Sequence, residues 1–379
     1  MASNILLSPY KLGKLTLPNR LIMAPLTRQR AGEGNVPTKL MAEYYTQRAT
    51  AGLIISEGTQ ISPEGIGYYD TPGIHTEEQI KGWKKITKSV HKAGGRIYAQ
   101  LWHVGRHSHP HYQPDNKPPL APSAVKEEGF IRSRQGKIET VTPREMDQED
   151  ISRTIRDFKR AAENAKKAGF DGIEIHGANG YLIDQFLQNG TNKRTDKYGG
   201  PVENRSRFLF EVIEKCMEVW PSNQIGLRLS PSGIKGDMHD SDPVKLFSYV
   251  TAELNKFQLA YLHLVEPLIP VDHLPNYLKE VTPFYRKIYK GHLISCGNHD
   301  FKKAGEMIHQ DRADLVAFGR YFISNPDLVE RLRTEAPLND WDQDTFYGGG
   351  EKGYTDYPFY KNKDEGNPSS LTRRYCCKL

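Results

Sequence analysis

His176, Asn179 and Tyr181 fall in one short stretch, His176-Gly177-Ala178-Asn179-Gly180-Tyr181-Leu182. An imidazole and a carboxamide can both donate hydrogen bonds to a substrate oxygen, and a phenol can deliver a proton. Together they suit a reaction in which charge gathers on an oxygen and a nearby carbon is protonated. On its own the stretch reads first as a strand-to-helix loop, with Gly for turning and polar residues for water. Position must decide. The preceding run, Gly172-Ile173-Glu174-Ile175, has the character of a buried strand near its end.

The elements that would hold these side chains are regular. Short β-like runs recur at Arg20–Pro25, Leu53–Thr59, Arg96–Trp102, Gly172–Gly177, Gln224–Pro231, Ala260–Glu266, His292–Gly297 and Leu315–Arg320. Helix-like segments lie between them at Thr38–Ala51, Glu77–Ala93, Glu149–Ala168, Glu203–Val219, Pro243–Asn255, Leu274–Tyr289 and Phe301–Gln310. In the sixth, Pro275 and Pro283 must start or break the helix. After the last strand, Ser324 or Asn325 offers a cap for a final helix, with Pro326 in its first turn. Eight alternating units predict a single α/β domain over 1–379, a closed (β/α)8 TIM barrel rather than an open doubly wound sheet. The run from Leu12 to Pro18 reads as a hairpin plugging the barrel floor.

One connection is too long for a simple crossover. Residues 103–148, after the third strand, are rich in Pro, His, Gly and charge, and a hairpin is expected at Ile131–Arg134 and Lys137–Val141, turning at Gln135-Gly136. An insertion after a barrel strand lies on the catalytic face, so this one is read as a capping element. Within it, His107, His109 and His111 are spaced by Pro110 in a way that suits a solvated loop better than a metal site, and no metal is expected. Near the end, Tyr347-Gly348-Gly349-Gly350 reads as a flexible turn presenting a Tyr, and 366–379 as a flexible tail.

Chemistry in such a barrel gathers at the C-terminal ends of the strands. Those ends carry Pro25-Leu26-Thr27, Gly58, Gln100 and Trp102, the His176–Tyr181 stretch, Arg228, Gly297-Asn298 and Gly319-Arg320. Gly-bearing ends on the last two strands suit a phosphate held by backbone N–H groups, with Arg320 adding charge. Gln100 offers an acceptor and donors to an imide edge, and Arg228 a positive charge.

Composition narrows the class further. The formal charge of +6 over 379 residues is small, and Lys159-Arg160-Ala161-Ala162-Glu163 shows how the basic residues alternate with acidic ones, so a nucleic-acid surface is not expected. No apolar run reaches the length of about 20 residues that a membrane helix needs, and no secretory leader is read at Met1–Tyr10. Cys216 and Cys296 read as buried thiols. Cys376-Cys377-Lys378-Leu379 has the outline of a prenylation box, but Cys and Lys stand where aliphatic residues belong; a reduced tail in the cytoplasm is the expectation. There is no Ser-His-Asp set, and no Lys stands at a strand end suited to a Schiff base.

The chain resembles the old yellow enzyme family of flavin-dependent ene-reductases, in particular its bacterial nitroester and enone reductase branch. The motifs carrying the resemblance are Ala24-Pro25-Leu26-Thr27-Arg28, Gln100-Leu101-Trp102-His103, the His176–Leu182 stretch, Gln185-Phe186-Leu187, Arg194-Thr195-Asp196-Lys197-Tyr198-Gly199-Gly200, Ala317-Phe318-Gly319-Arg320 and Phe346-Tyr347-Gly348-Gly349-Gly350. They run in order along nearly the whole chain.

The resemblance implies FMN across the barrel mouth and NADPH as hydride donor, in a ping-pong scheme. It places Pro25, Leu26, Thr27, Gly58, Gln100 and Arg228 around the isoalloxazine, with Thr27 near its carbonyl and N5 edge. Gly297, Asn298, Gly319 and Arg320 would hold the phosphate. It assigns His176 and Asn179 to the substrate's carbonyl or nitro oxygen, Tyr181 to the proton, and Tyr68, Trp102 and Tyr347 to the pocket walls. Substrates would be enones, quinones or nitro compounds, and the protein a monomer or homodimer. The alternative is an FMN-binding barrel that senses or assembles without turnover. The insertion and the connection after Glu266 depart most from the family pattern, which leaves substrate choice open.

Overall fold

The computed structural model describes residues 5–360. Eight parallel strands carry the domain: β1 (Leu21–Met23), β2 (Leu53–Ile55), β3 (Ile97–Trp102), β4 (Gly172–Gly177), β5 (Ile225–Leu229), β6 (Tyr261–Val265), β7 (Leu293–Cys296) and β8 (Leu315–Phe318). Each pairs with the next, and the pairing of Val316 on β8 with Leu21 on β1 shuts the ring into a closed barrel. All eight expected strands are present in order.

Alternation along the strands builds two cores. Outward-facing Ile173, Ile175, Leu227, Leu229, Leu262 and Leu264 meet the helices. Inward-facing Ile22, Ala24, Leu53, Ile55, Tyr98, Tyr261, Ile294, Leu315 and Ala317 fill the barrel. Large and small residues alternate in that filling. A Cβ on Gly172 would come within 2.4 Å of the Tyr98 ring, and one on Gly226 within 2.2 Å of the Tyr261 ring. Below lies the expected hairpin, Tyr10–Leu12 paired with Leu15–Leu17, which buries Leu12 and Leu17 against the barrel filling.

Side-chain caps at Thr38, Thr76, Asp147, Asp242 and Asp300 start five of the helices described. The helices are numbered α1 (Lys39–Gln47), α2 (Glu77–Lys92), α3 (Gln148–Lys167), α4 (Arg207–Met217), α5 (Pro243–Leu254), α6 (Thr282–Arg286), α7 (Phe301–His309) and α8 (Leu328–Thr334). Thr76 and Gln79 form a capping box at α2, and Asp147 and Asp150 another at α3. In α2 the buried residues Ile80, Trp83, Ile86, Thr87 and Val90 recur at the helical period. Among the described residues no helix is long and apolar enough to cross a membrane.

Four expectations need correction. The sixth helix spans only Thr282–Arg286, because Pro283 can stand in its first turn but not inside it. Ser324 closes a short helix, Arg320–Ser324, and Asp327 rather than Ser324 or Asn325 precedes the final helix. The hairpin of the insertion pairs Phe130–Ser133 with Gly136–Glu139, so it turns through Arg134-Gln135, one residue early. The Tyr347–Gly350 turn is tied down. The Arg28 guanidinium donates to the carbonyls of Phe346 (2.9 Å) and Gly353 (2.8 Å), and Arg30 donates to those of Thr345 (3.0 Å) and Gly350 (3.2 Å). Tyr354 stacks on Tyr44 with ring centroids 4.0 Å apart, under the Arg30 guanidinium. The tail 366–379, with Cys376 and Cys377, lies outside the described residues.

Candidate active site

Strand β4 places Glu174 and His176 two residues apart, so both point into the barrel. His176 Nδ1 accepts from the Ala178 backbone N–H at 3.3 Å. Burial, with Arg228 and other cations nearby, holds its ring well below the usual imidazole range. The ring is therefore neutral with its proton on Nε2, which is left as a donor. The chain then turns through Asn179 (φ +60°) and Gly180 (φ +79°). That turn is fixed from beneath: Asn179 N–H donates to Ser230 Oγ (2.7 Å), and Gly180 N–H to Asp184 Oδ2 (2.9 Å). Gln188 Nε2 also donates to Asp184 (2.8 Å), a buried carboxyl that desolvation pushes up to about 6.

Tyr181 opens the helix Leu182–Leu187 and turns into an aromatic box. Its ring lies 5.1 Å from His176 and 5.1 Å from Trp102, edge-on to both. Tyr68 stacks on Trp102 at 5.5 Å, and its hydroxyl meets the Tyr181 hydroxyl at 2.9 Å. Burial first, then the facing Tyr181, pushes the Tyr68 phenol well up, so it stays protonated. The insertion adds His107, whose ring is 5.9 Å from Tyr181 and whose Nδ1 lies 2.8 Å from Glu127. His109 Nδ1 accepts from the His111 N–H, so the three histidines do not converge.

Beneath this box the barrel interior is polar. Gln100 Nε2 donates to Glu174 Oε1 at 2.7 Å, and Glu174 Oε2 lies 2.8 Å from His263 Nδ1. Arg228 donates through Nη2 to the Cys296 thiol at 3.4 Å, while its Nε is buried with no partner. Cys216 and Cys296 are both buried, as expected. Cys296 faces Arg228 and His263, which outweigh burial and lower its thiol.

Around the rim, Pro25, Leu26 and Thr27 are half-buried at the end of β1. Gly58 follows β2, where a Cβ would strike the Trp102 ring at 2.5 Å; its smallness lets that indole lie flat. Gly297 (φ +119°) and Asn298 (φ +52°) follow β7, and Gly319-Arg320 follow β8. Among the described residues, the Asn298 and Gly319 N–H groups make no loop or turn hydrogen bond to a backbone carbonyl. Arg320 is exposed and lies over Trp341, 5.2 Å from its ring centroid. Tyr347 is 45% exposed on the tethered C-terminal segment, with the Arg132 guanidinium 5.2 Å from its ring. An acceptor at Gln100, an unpartnered donor at Arg228 and free N–H groups after β7 and β8 fit an imide-bearing ring with a phosphate tail, which is FMN.

Several residues of the site were not anticipated. Glu174 and His263 lie inside the β-like runs Gly172–Gly177 and Ala260–Glu266, with no motif to single them out. Asp184 and Ser230 hold the turn from below. Lys235 places its ammonium 6.0 Å from the Tyr181 ring centroid. A charged residue at an inward position of a barrel strand, as Glu174 is, was the available signal.

The site has recognisable relatives. A family model described as NADH:flavin oxidoreductase / NADH oxidase family matches residues 5–339. 12-Oxophytodienoate reductase 1 of Oryza sativa subsp. japonica is 44% identical over 367 residues, 95% of this chain and 94% of that protein. 12-Oxophytodienoate reductase 2 of Arabidopsis thaliana is 40% identical over 359 residues, covering 93% and 95%. Among solved structures, morphinone reductase in complex with tetrahydroNAD superposes with a TM-score of 0.89 at 48% identity, covering 95% of this chain and 99% of that one. An old yellow enzyme homologue from Zymomonas mobilis superposes with a TM-score of 0.89 at 42% identity, covering 93% and 99%.

Proposed function

This chain belongs to the NADH:flavin oxidoreductase / NADH oxidase family, is an FMN-dependent oxidoreductase of old yellow enzyme type, and from that premise we propose that it reduces the activated C=C bond of α,β-unsaturated carbonyl compounds with NADPH. Quinones and nitro compounds belong to the same proposal, because each puts charge on an oxygen that the same donors meet. The observation carrying it is the neutral His176, with Nδ1 already engaged and Nε2–H left to donate, beside the hydrogen-bonded hydroxyls of Tyr181 and Tyr68.

FMN, when bound, supplies hydride transfer from the nicotinamide to the substrate carbon. Gln100 and Arg228 would hold its pyrimidine edge, with Pro25, Leu26, Thr27 and Gly58 along the ring and Gly297, Asn298, Gly319 and Arg320 at the phosphate. His176 Nε2–H and the Asn179 amide would donate to the substrate oxygen as charge develops there, a preset pair worth about 3–4 kcal/mol per donor in comparable sites. Tyr181 would hand its phenolic proton to the α-carbon, and Tyr68 would donate to the phenolate oxygen left behind. Tyr68, Trp102 and Tyr347 would wall the pocket and keep water from the reacting carbons. One pocket serving donor and acceptor in turn gives a ping-pong scheme.

The test is direct. The purified protein is expected to be yellow, and NADPH oxidation to rise sharply when an enone is added. A coloured protein that oxidises NADPH no faster with any enone, quinone or nitro compound would instead favour a barrel that binds FMN without turnover.

A further inference from the structure

We infer that Glu174 and His263 are a buried positioning pair that fixes which end of the Gln100 amide faces the cofactor. The inference rests on FMN lying over Gln100 and Arg228 as proposed above.

The backbone makes the reach possible. Glu174 on β4 stands level with Gly226 on β5, which offers no side chain in between. The Glu174 carboxylate therefore crosses β5 to meet His263 on β6 at 2.8 Å. Both side chains are 0% exposed. Burial alone would push the Glu174 carboxyl up and the His263 ring down, yet their mutual attraction outweighs it, lowering the one and raising the other. The two directions agree on an ionised pair.

An ionised carboxylate only accepts hydrogen bonds. Glu174 Oε1 takes one from Gln100 Nε2 at 2.7 Å. With the amide turned over, Gln100 Oε1 would face a carboxylate oxygen at the same distance, with no proton between two electron-rich atoms. The pair thus selects one of two otherwise similar amide orientations and leaves Gln100 Oε1 as the free end. Arg228 on β5, whose charge also acts on Glu174, keeps an unpartnered, buried Nε–H. Acceptor next to donor matches an imide N–H flanked by its carbonyl. A neutral side chain at 174 would take either end of the amide and would lose that choice.

Apoprotein titrated with FMN and with N3-methyl-FMN, read by flavin fluorescence, tests this without turnover. Wild type is expected to prefer FMN strongly, because the methyl group removes the proton that Gln100 Oε1 accepts. Glu174→Gln is expected to narrow that preference by about tenfold or more, the scale of one hydrogen bond in a buried site. His263→Gln, which removes the charge opposite Glu174, should narrow it by an independent route. A folded Glu174→Gln or His263→Gln variant that binds both flavins more weakly but in the wild-type ratio would overturn the inference, since a filling role moves both alike. A wild-type protein that binds neither flavin would overturn the cofactor placement itself.

Discussion

The hydroxyl oxygens of Tyr68 and Tyr181 lie 2.9 Å apart, a direct polar link between the β2–α2 loop and the turn after β4 within the aromatic box. Burial keeps the Tyr68 phenol protonated, so its hydroxyl is there to donate once Tyr181 has given up its proton.

Tyr181→Phe is accordingly expected to slow enone reduction strongly while sparing flavin reduction by NADPH, measured as separate half-reactions in stopped flow. Tyr68→Phe should slow the same half-reaction by about tenfold or more, the cost of one hydrogen bond to a charged oxygen. Equal slowing of both half-reactions by Tyr181→Phe would remove it as the acid.

His176→Ala is expected to weaken phenol binding by about 10–100-fold, the scale of a charge-assisted hydrogen bond, and to erase the long-wavelength band of a phenol stacked on flavin. Burial keeps the ring neutral through the physiological range, so wild-type phenol affinity should show no inflection near the ordinary imidazole pKa. An unchanged titration in the variant takes His176 out of the site.

Glu57 gives the fold a pH signature. It is fully buried, accepting from the Tyr45 hydroxyl at 3.2 Å and the Arg28 N–H at 3.4 Å, and desolvation raises its carboxyl from 4.5 to about 7. The folded state holds this proton more tightly than the unfolded chain. Its stabilisation is therefore complete below the unfolded value and lost as pH rises through about 7, a change on the order of 3 kcal/mol. Denaturant unfolding should show Glu57→Gln lacking this part of the decline. Parallel curves for the two proteins across that window would refute it.

Arg28→Met should free the segment that carries Tyr347. The guanidinium is 0% exposed and serves the Phe346 and Gly353 carbonyls and the Tyr44 hydroxyl (3.0 Å). Losing a buried, charged donor of this kind costs about 3 kcal/mol or more, and limited proteolysis should then cut between residues 345 and 353. Wild-type resistance at those bonds in the variant would show that Arg30 alone suffices.

The barrel was legible because its signal is periodic: eight apolar runs, alternating with helix-like segments, leave few other topologies. The catalytic turn was legible through motif spacing, and the strand-end residues because barrel chemistry has a fixed address. What the sequence hid depends on facing partners. Glu174 looks like one charge among apolar neighbours until Gln100, on the strand beside it, and His263, across Gly226, are brought against it. The Tyr347 turn looked free because its three glycines advertise mobility, whereas the arginines that hold it lie some 300 residues earlier. Lys235 sits in the β5–α5 loop, which has no periodicity to read.

That clasp has a consequence for synthesis. During synthesis Arg28 and Arg30 emerge more than 300 residues before the carbonyls that receive them. Until then the two guanidinium groups beside β1 lack the carbonyls that later hold them, and β1 waits nearly as long for β8. The first strand is thus among the last to find its final surroundings, and the mouth of the barrel is finished from its trailing end.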